Sequence, residues 1–220
     1  MDIRLENDSS LADRVYVALE DAILSGQIKL GGRLLESDIA EKLSVSRAPF
    51  REALRRLHFE GLAETIPRRG TYVIKPSRQD IIDLLQVREE LECLAARLAA
   101  ECISERELKH LSDGLERIGK LLARNRTAGY PHHDIDFHQT VIHACGNGKV
   151  LQVMTGMYRQ IRLVRLMSGA RAHRAPAAYH EHVAIFEALR SRNPQAAEDK
   201  MRKHIKSSAE NILNTLQAEG

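Results

Sequence analysis

Two residues that can bind a metal, Asp134 and His138, lie four positions apart in the segment DIDFHQT. In a helix this spacing puts a carboxylate and an imidazole on one face. The same face continues through Val141, Ile142 and Cys145, which predicts that it is buried. Burying these polar groups is unfavourable unless something compensates them, and one divalent cation would do so. Imidazole and carboxylate ligands suit Zn²⁺, and also Ni²⁺, Mn²⁺ or Fe²⁺.

Two more histidines occupy apolar faces of later predicted helices. His182 shares its face with Phe186, and His204 shares its face with Met201. Three predicted helices would therefore each direct a metal-binding side chain towards the interior. The spacing alone leaves two interpretations open, a metal site and a core that happens to contain histidines.

A second group of residues has the chemistry of nucleic-acid binding. The segment VSRAPFREAL, residues 45–54, places Arg47 and Arg51 on one face of the first turns of a predicted helix, with Ser46 as its N-cap. Arginine donates two parallel hydrogen bonds to guanine or binds phosphate, and the unpaired amides of a helix N-terminus also attract phosphate. Arg68 and Arg69 lie between two short extended runs, at the tip of a predicted hairpin.

Basic residues are concentrated in this part of the chain. Residues 46–75 contain seven basic side chains against three acidic ones; the basic ones are Arg47, Arg51, Arg55, Arg56, Arg68, Arg69 and Lys75. One alternative is a solvated charged face with local ion pairs, such as Glu52 with Arg55 or Arg56. The clustering favours DNA binding over that alternative.

The elements that position these residues form two predicted domains. Helices at 11–24, 36–43 and from Ser46 or Arg47 onwards, followed by a hairpin of 62–66 and 71–74, predict a winged helix-turn-helix at residues 1–75. Residues 76–79 are a predicted linker. Residues 80–220 are a predicted all-helical domain, so the expected fold class is mostly α.

The second domain is predicted to be a bundle of about six helices. Their approximate spans are 78–101, 104–125, 132–145, 148–168, 176–191 and 194–216. Glycine, proline and asparagine mark the breaks between the helices, for example at Gly146-Asn147-Gly148 and at Asn193-Pro194.

Composition excludes several other classes of protein. The chain has 220 residues, of which 43% are hydrophobic, and no apolar run approaches the ~20 residues of a membrane span. The N-terminal segment MDIRLENDSS is polar and does not resemble a secretory signal. The three cysteines, Cys93, Cys102 and Cys145, are expected to be buried free thiols in a cytoplasmic protein.

The motifs together resemble the GntR superfamily of transcription regulators, in particular its FadR subfamily with an FCD-type ligand domain. In the N-terminal domain the resemblance rests on residues 45–54, on Gly32-x-Leu34-x-Glu36 and on Arg69-Gly70-Thr71-Tyr72-Val73. In the C-terminal domain it rests on Asp134-x-x-Phe137-His138, Gly146-Asn147, Glu181-His182 and His204-Ile205. It extends from about residue 11 to residue 216.

The resemblance implies which residues act. DNA would be contacted by the first turn of the recognition helix and by the wing, here Ser46, Arg47, Ala48, Arg51, Arg69 and Gly70. A metal, Zn²⁺ above all, would be held by Asp134, His138, His182 and His204. The effector would be a small carboxylic acid that completes the metal's coordination, with Arg88, Asn147 and Arg162 as candidate contacts. A surface ion pair with Glu92 is the alternative for Arg88.

Three functional hypotheses follow from these expectations. The first is a homodimeric, metabolite-responsive regulator of a palindromic operator, acting as a repressor. The second is a metal-dependent hydrolase with an attached DNA-binding module, although the sequence offers no catalytic residue in a distinct motif. The third is a constitutive DNA-binding protein whose histidines belong to the core.

Overall fold

The computed structural model describes residues 10–35, 46–127, 130–168 and 174–218. It divides into two compact units, residues 1–76 and residues 77–220. The described part is mostly helical, as predicted, with a winged helix-turn-helix region first and a helical bundle second. The predicted helix at 36–43 lies outside the described residues.

The first unit contains two described helices and a small sheet. Helix α1 is Leu11–Leu24, strand β1 is Arg33–Leu34, helix α2 is Arg47–Phe59, strand β2 is Ala63–Ile66 and strand β3 is Gly70–Val73. Ser10 caps α1 by accepting from the backbone N–H of Asp13, whose carboxylate accepts in return from the backbone of Ser10. Helix α1 packs on α2 through buried side chains that include Leu19, Phe50 and Leu57.

The predicted hairpin forms the wing, but it has a third strand. Strands β2 and β3 pair antiparallel with Thr65 opposite Thr71, and β1 pairs with the other edge of β3 with Arg33 opposite Tyr72. The sequence analysis missed β1 because a strand of two residues is too short to have a recognisable pattern of alternation.

The second unit contains six described helices. They are α3, Arg78–Cys102; α4, Glu105–Leu122; α5, Tyr130–Ala144; α6, Gly148–Ser168; α7, Ala175–Arg190; and α8, Pro194–Ala218. Ser77 and Ser104 begin α3 and α4 as capping boxes with Asp80 and Glu107. Helix α3 packs most extensively against α8, and its alanine-rich face, Ala95, Ala96, Ala99 and Ala100, is fully buried. Small side chains here let neighbouring helices approach closely.

The three cysteines are free, but only Cys93 and Cys145 are buried. Burial raises the pKa of the Cys93 thiol to about 12. The expectation of burial is wrong for Cys102, the last residue of α3, whose side chain is exposed. Within the described ranges, no helix is both long enough and apolar enough to cross a bilayer.

Candidate metal centre and nucleic-acid interface

The four residues predicted to bind a metal lie together in the interior of the bundle. Asp134 and His138 project from α5, His182 from α7 and His204 from α8, and all four are buried. One ligand atom from each residue can be chosen so that these atoms all lie within 4.8 Å of one another. The four residues form a cluster that could hold a metal ion.

The three imidazoles converge through the same ring atom. His138 Nε2 lies 3.1 Å from His204 Nε2, and His182 Nε2 lies 3.3 Å from each of the other two. Asp134 Oδ1 lies 3.6 Å from His182 Nε2. The three Nε2 atoms therefore lie next to one another, and a carboxylate oxygen lies near that of His182.

Two of the imidazoles have a carboxylate on their other nitrogen. His138 Nδ1 lies 2.5 Å from Glu92 Oε2, and His204 Nδ1 lies 2.7 Å from Glu181 Oε2. A carboxylate only accepts hydrogen bonds, so these contacts favour the tautomer in which Nδ1 carries the proton. The Nε2 atoms of both rings are then acceptors. Two acceptors 3.1 Å apart cannot hydrogen-bond to each other, and their lone pairs repel unless a positive charge lies between them.

Burial keeps two of the three imidazoles neutral at neutral pH. Burial lowers the pKa of His182 well below its ordinary value, and burial together with the neighbouring His138 lowers the pKa of His204 to about 4, although Glu181 opposes this. Burial raises the pKa of the Asp134 carboxyl, but Arg165 and the nearby imidazoles outweigh it and hold that pKa well below its usual range. At neutral pH the cluster thus contains the ionised carboxylate of Asp134 and the neutral imidazoles of His182 and His204.

The remaining contacts fix Asp134 and His182. Arg165, from α6, donates to Asp134 Oδ2, and the hydroxyl of Tyr130 donates to Asp134 Oδ1 at 3.2 Å. The ring of Phe137 stacks on that of His182, with centroids 4.2 Å apart and planes inclined by 14°. His182 Nδ1 has no hydrogen-bond partner among the described residues.

Arg88 forms the ion pair with Glu92 that the alternative predicted, but the pair is fully buried and not on the surface. Its Nε donates to Glu92 Oε1 at 2.6 Å, while Nη1 and Nη2 have no hydrogen-bond partner within the described residues. The hydroxyl of Tyr158, on α6, is likewise buried without such a partner. Sequence reasoning missed Tyr158, because one tyrosine in a helical pattern is indistinguishable from a core residue.

The structure does not bring the other two candidate effector residues to this cluster. Asn147 precedes α6, and its carboxamide oxygen accepts from the backbone N–H groups of Lys149 and Val150, which makes it the cap of that helix. It lines a surface cavity with residues such as Leu98 and Gln152 rather than with the four predicted ligands. Arg162 is partly buried on α6, and the guanidinium that reaches Asp134 belongs to Arg165 instead.

The predicted DNA-contacting residues of the recognition helix lie at its beginning. Helix α2 starts at Arg47, with Ser46 as N-cap, and its first turn contains no acidic residue. The side chains of Ser46, Arg47, Ala48 and Arg51 are exposed, whereas Phe50 is buried against the rest of the unit. The positive end of the helix and two arginines are therefore presented on the surface.

Not every arginine of this basic segment is available to DNA. Arg56 pairs with Asp13 and lies over the ring of Tyr16, with 4.1 Å between the guanidinium carbon and the ring centroid. These contacts join α2 to α1. The local pair of Glu52 with Arg56 that the sequence suggested is replaced by a contact between residues 43 positions apart.

The tip of the wing combines basic side chains from two places in the sequence. Arg68 and Arg69 are exposed between β2 and β3, and Arg68 has a left-handed backbone with φ of 63°. Arg33 extends across the wing from β1, so that a Cβ at Gly70 would come 3.1 Å from Arg33 Nε. Gly70 also has φ of 113°, which favours glycine. Arg33 was not among the predicted contacts because β1 was missed.

Comparison with known proteins assigns both units. Residues 11–73 match the family described as bacterial regulatory proteins, gntR family, and residues 83–207 match the FCD domain. The chain therefore belongs to the FCD-containing branch of the GntR family, which is the architecture of the FadR subfamily.

Relatives of known name support this assignment along the whole chain. The HTH-type transcriptional repressor RspR of Escherichia coli K12 is 26% identical over 99% of this chain and 95% of its own length. The HTH-type transcriptional regulator YdhC of Bacillus subtilis is 27% identical over 98% and 97% of the two chains. The crystal structure of a GntR regulator from Rhodococcus sp. RHA1 superposes with a TM-score of 0.78 at 26% identity, covering 92% of this chain and 97% of that one. The chain is a DNA-binding transcriptional regulator, not an enzyme.

Proposed function

We propose that this regulator binds a divalent metal ion, with Zn²⁺ as the first candidate, through Asp134, His138, His182 and His204, and that a small carboxylic acid bound at the same site modulates operator binding. The observation that supports the metal most directly is the pair of facing Nε2 acceptors of His138 and His204. A divalent cation between them would relieve their repulsion.

The dimensions of the cluster fit a first-row ion. With Zn–N bonds of about 2.0–2.1 Å, two neighbouring nitrogen ligands of one ion lie about 2.8–3.0 Å apart in octahedral and about 3.3–3.4 Å apart in tetrahedral geometry. The three Nε2 separations of 3.1–3.3 Å fall within this range. The set of three imidazoles and one carboxylate suits Zn²⁺, and also Ni²⁺, Mn²⁺ or Fe²⁺. When bound, the ion supplies a Lewis-acidic position for an anionic ligand.

Charge balance favours an anionic effector. Three carboxylates around the cluster, those of Glu92, Asp134 and Glu181, are each paired with an arginine, Arg88, Arg165 and Arg174 respectively. These pairs cancel, so a divalent cation would leave two positive charges in a buried place. A carboxylate would compensate part of that charge, which is unfavourable to bury alone.

Arg88 and Tyr158 provide hydrogen-bond donors for such an acid. Two guanidinium nitrogens and one phenol are buried without partners in the described part of the chain, and unmet buried donors cost about 1–3 kcal/mol each. A carboxylate accepts two parallel hydrogen bonds from an arginine. Arg88 therefore remains a proposed effector contact, whereas the capping role of Asn147 gives it a structural task instead.

The DNA-binding part of the proposal concerns a homodimer on a palindromic operator. The exposed first turn of α2 and the wing suit one short half-site, and two-fold pairing would extend recognition to two half-sites. RspR is named a repressor, which supports repression as the direction of control. Light scattering tests the dimer, because a particle with the 24.8 kDa mass of one chain at micromolar concentration would contradict it.

One experiment tests the metal and the effector together. The purified chain is analysed for bound metals, then stripped with a chelator and screened by thermal shift against a panel of small organic acids, with and without Zn²⁺. We expect bound metal and acids that raise Tm only in its presence. An acid that raises Tm equally in stripped and loaded protein would contradict the proposed role of the metal. Acids that pass the screen are then tested for their effect on operator binding.

A further inference from the structure

Glu92 and Glu181 each contact a histidine that belongs to a different helix. Glu92 on α3 contacts His138 on α5, and Glu181 on α7 contacts His204 on α8. Each contact fixes the rotation of an imidazole ring relative to a second helix. A hydrogen bond from within the same helix turn would not tie the ring to a neighbouring element in this way.

Each of these carboxylates is held in turn by an arginine. Glu92 uses one oxygen for Arg88 Nε at 2.6 Å and the other for His138. Glu181 Oε2 accepts from Arg174 Nη2 at 2.5 Å, and the same Nη2 lies 3.3 Å from the backbone oxygen of His204. The arrangement arginine–glutamate–histidine thus occurs twice around the cluster.

The third imidazole is held differently. His182 has Phe137 stacked on its ring, but its Nδ1 has no partner in the described ranges. Stacking fixes the plane of a ring and leaves the position of its proton undetermined. Two of the three imidazoles therefore have a carboxylate at Nδ1. His204 hydrogen-bonds to Glu181 through Nδ1, whereas His138 Nδ1 and Glu92 Oε2 lie 2.5 Å apart in an ion-pair contact without regular hydrogen-bond geometry.

We propose that Glu92 and Glu181 are positioning residues of the metal centre, acting through His138 and His204 respectively. They hold the protons of the two rings on Nδ1, so that both Nε2 lone pairs face the cluster, and they make the bound nitrogens better donors to a cation. Loss of such an outer partner typically weakens metal binding 10–100-fold. This inference rests on the proposed function, because it concerns the same metal site.

The test compares Glu92→Gln and Glu181→Gln with two matched controls. The control for Glu92 is Glu89→Gln, on the same helix, where the glutamate contacts Arg202 and Lys206. The control for Glu181 is Glu187→Gln, on the same helix, where the glutamate is an exposed partner of Arg190. Chelator-stripped full-length protein is titrated with Zn²⁺ in competition with a chromogenic chelator. The unfolding temperature of each stripped variant and the visible spectrum of each Co²⁺-loaded variant are recorded alongside.

We expect Zn²⁺ affinity to fall 10–100-fold in each of the two test variants and to stay unchanged in the controls. The Co²⁺ spectrum should change in the test variants, because the rings lose their fixed orientation, and a purely structural role would leave it unaltered. The Glu92→Gln variant leaves Arg88 buried without its carboxylate and therefore carries a risk of not folding. Glu181 is partly exposed, so its replacement disturbs the core less. If Glu92→Gln does not fold, the result for Glu181→Gln tests the inference.

Two results would overturn the inference in distinguishable ways. Wild-type affinity and an unchanged Co²⁺ spectrum in a folded Glu181→Gln protein would show that the carboxylates do not position the ligands. A wild-type protein that binds no Zn²⁺ would overturn the proposed function itself, and the inference with it.

Discussion

His138 Nε2 and His204 Nε2 face each other at 3.1 Å, while the other nitrogen of each ring is in contact with a carboxylate. The two residues are 66 positions apart and lie on different helices. If both Nδ1 atoms carry the protons, the facing Nε2 atoms are acceptors that repel each other, and a cation between them would relieve this repulsion. This relationship favours the proposed metal centre over a core that merely contains histidines.

Metal should stabilise the protein, and the effect should depend on His182. A ligand at about 100 times its Kd adds about 2.7 kcal/mol, which corresponds to an increase in Tm of roughly 5–10 °C for a domain of this size. We expect this shift in the wild type, its loss in His182→Ala and its retention in His180→Ala, an exposed neighbour on the same helix. Calorimetry of stripped and Zn²⁺-loaded samples measures it. An equal shift in His182→Ala would place the metal elsewhere.

The stability of the metal-free protein should fall as the pH decreases from about 6.5 towards about 4. An unfolded histidine takes up a proton near pH 6.5, whereas the folded pKa of His204 is about 4 and that of His182 is also lowered by burial. In this interval the unfolded state binds more protons, so acid favours unfolding, with up to about 1.4 kcal/mol per pH unit from each such histidine.

Denaturant unfolding of stripped protein at several pH values between 4 and 7 checks this expectation. In His204→Gln the free energy of unfolding should depend less steeply on pH. The slope should decrease by about the contribution of one histidine. A slope identical to that of the wild type would mean that His204 is protonated as readily in the folded as in the unfolded chain.

Arg47→Ala and Arg51→Ala should each weaken specific operator binding, by about 1–3 kcal/mol if the arginine contacts a base. Both side chains are exposed on the first two turns of α2, so the fold should be unaffected. The operator is first selected from random DNA with the wild-type protein, and affinities are then compared by gel shift. Arg14→Ala, an exposed arginine of α1, is the control. Wild-type affinity in both test variants would remove these arginines from the interface.

Arg33→Ala should weaken binding to operator and to unrelated DNA by similar factors. Arg33 lies over Gly70 at the wing, where a guanidinium suits phosphate. A lost phosphate contact reduces the slope of log K against log salt by about one. Fluorescence anisotropy at several salt concentrations gives this slope. A selective loss of operator affinity with an unchanged slope would indicate that Arg33 reads bases instead.

Arg56→Ala should behave differently from the other arginines of the basic segment. Arg56 joins α2 to α1 through Asp13 and Tyr16, so its removal should lower the stability of the first unit. The expected loss is about 0.5–2 kcal/mol, from a cation–π contact and a partly exposed ion pair. Thermal unfolding followed by circular dichroism measures the loss. Unchanged stability with lost DNA affinity would place Arg56 at the interface instead.

The sequence by itself determined the described helices and the identity of the four residues that cluster. Apolar periodicity located every described helix to within a few residues, and the i, i+4 spacing of Asp134 and His138 put both on one buried face. The arginines at the start of α2 were likewise evident, because their position on a helix depends only on neighbours in the sequence. Such local patterns are sufficient wherever the determining contacts span one or two helical turns.

Only the tertiary structure decided how these elements meet. Glu92 and Glu181 gave no signal in the sequence as partners of His138 and His204, since a glutamate on a helix is ordinarily solvated. Asp13 and Arg56 pair across 43 positions, and a strand of two residues brings Arg33 to the wing. Contacts between distant segments depend on the packing of whole helices against one another. Periodicity predicts which face of a helix is buried, but it cannot specify which side chains of another helix will lie against that face.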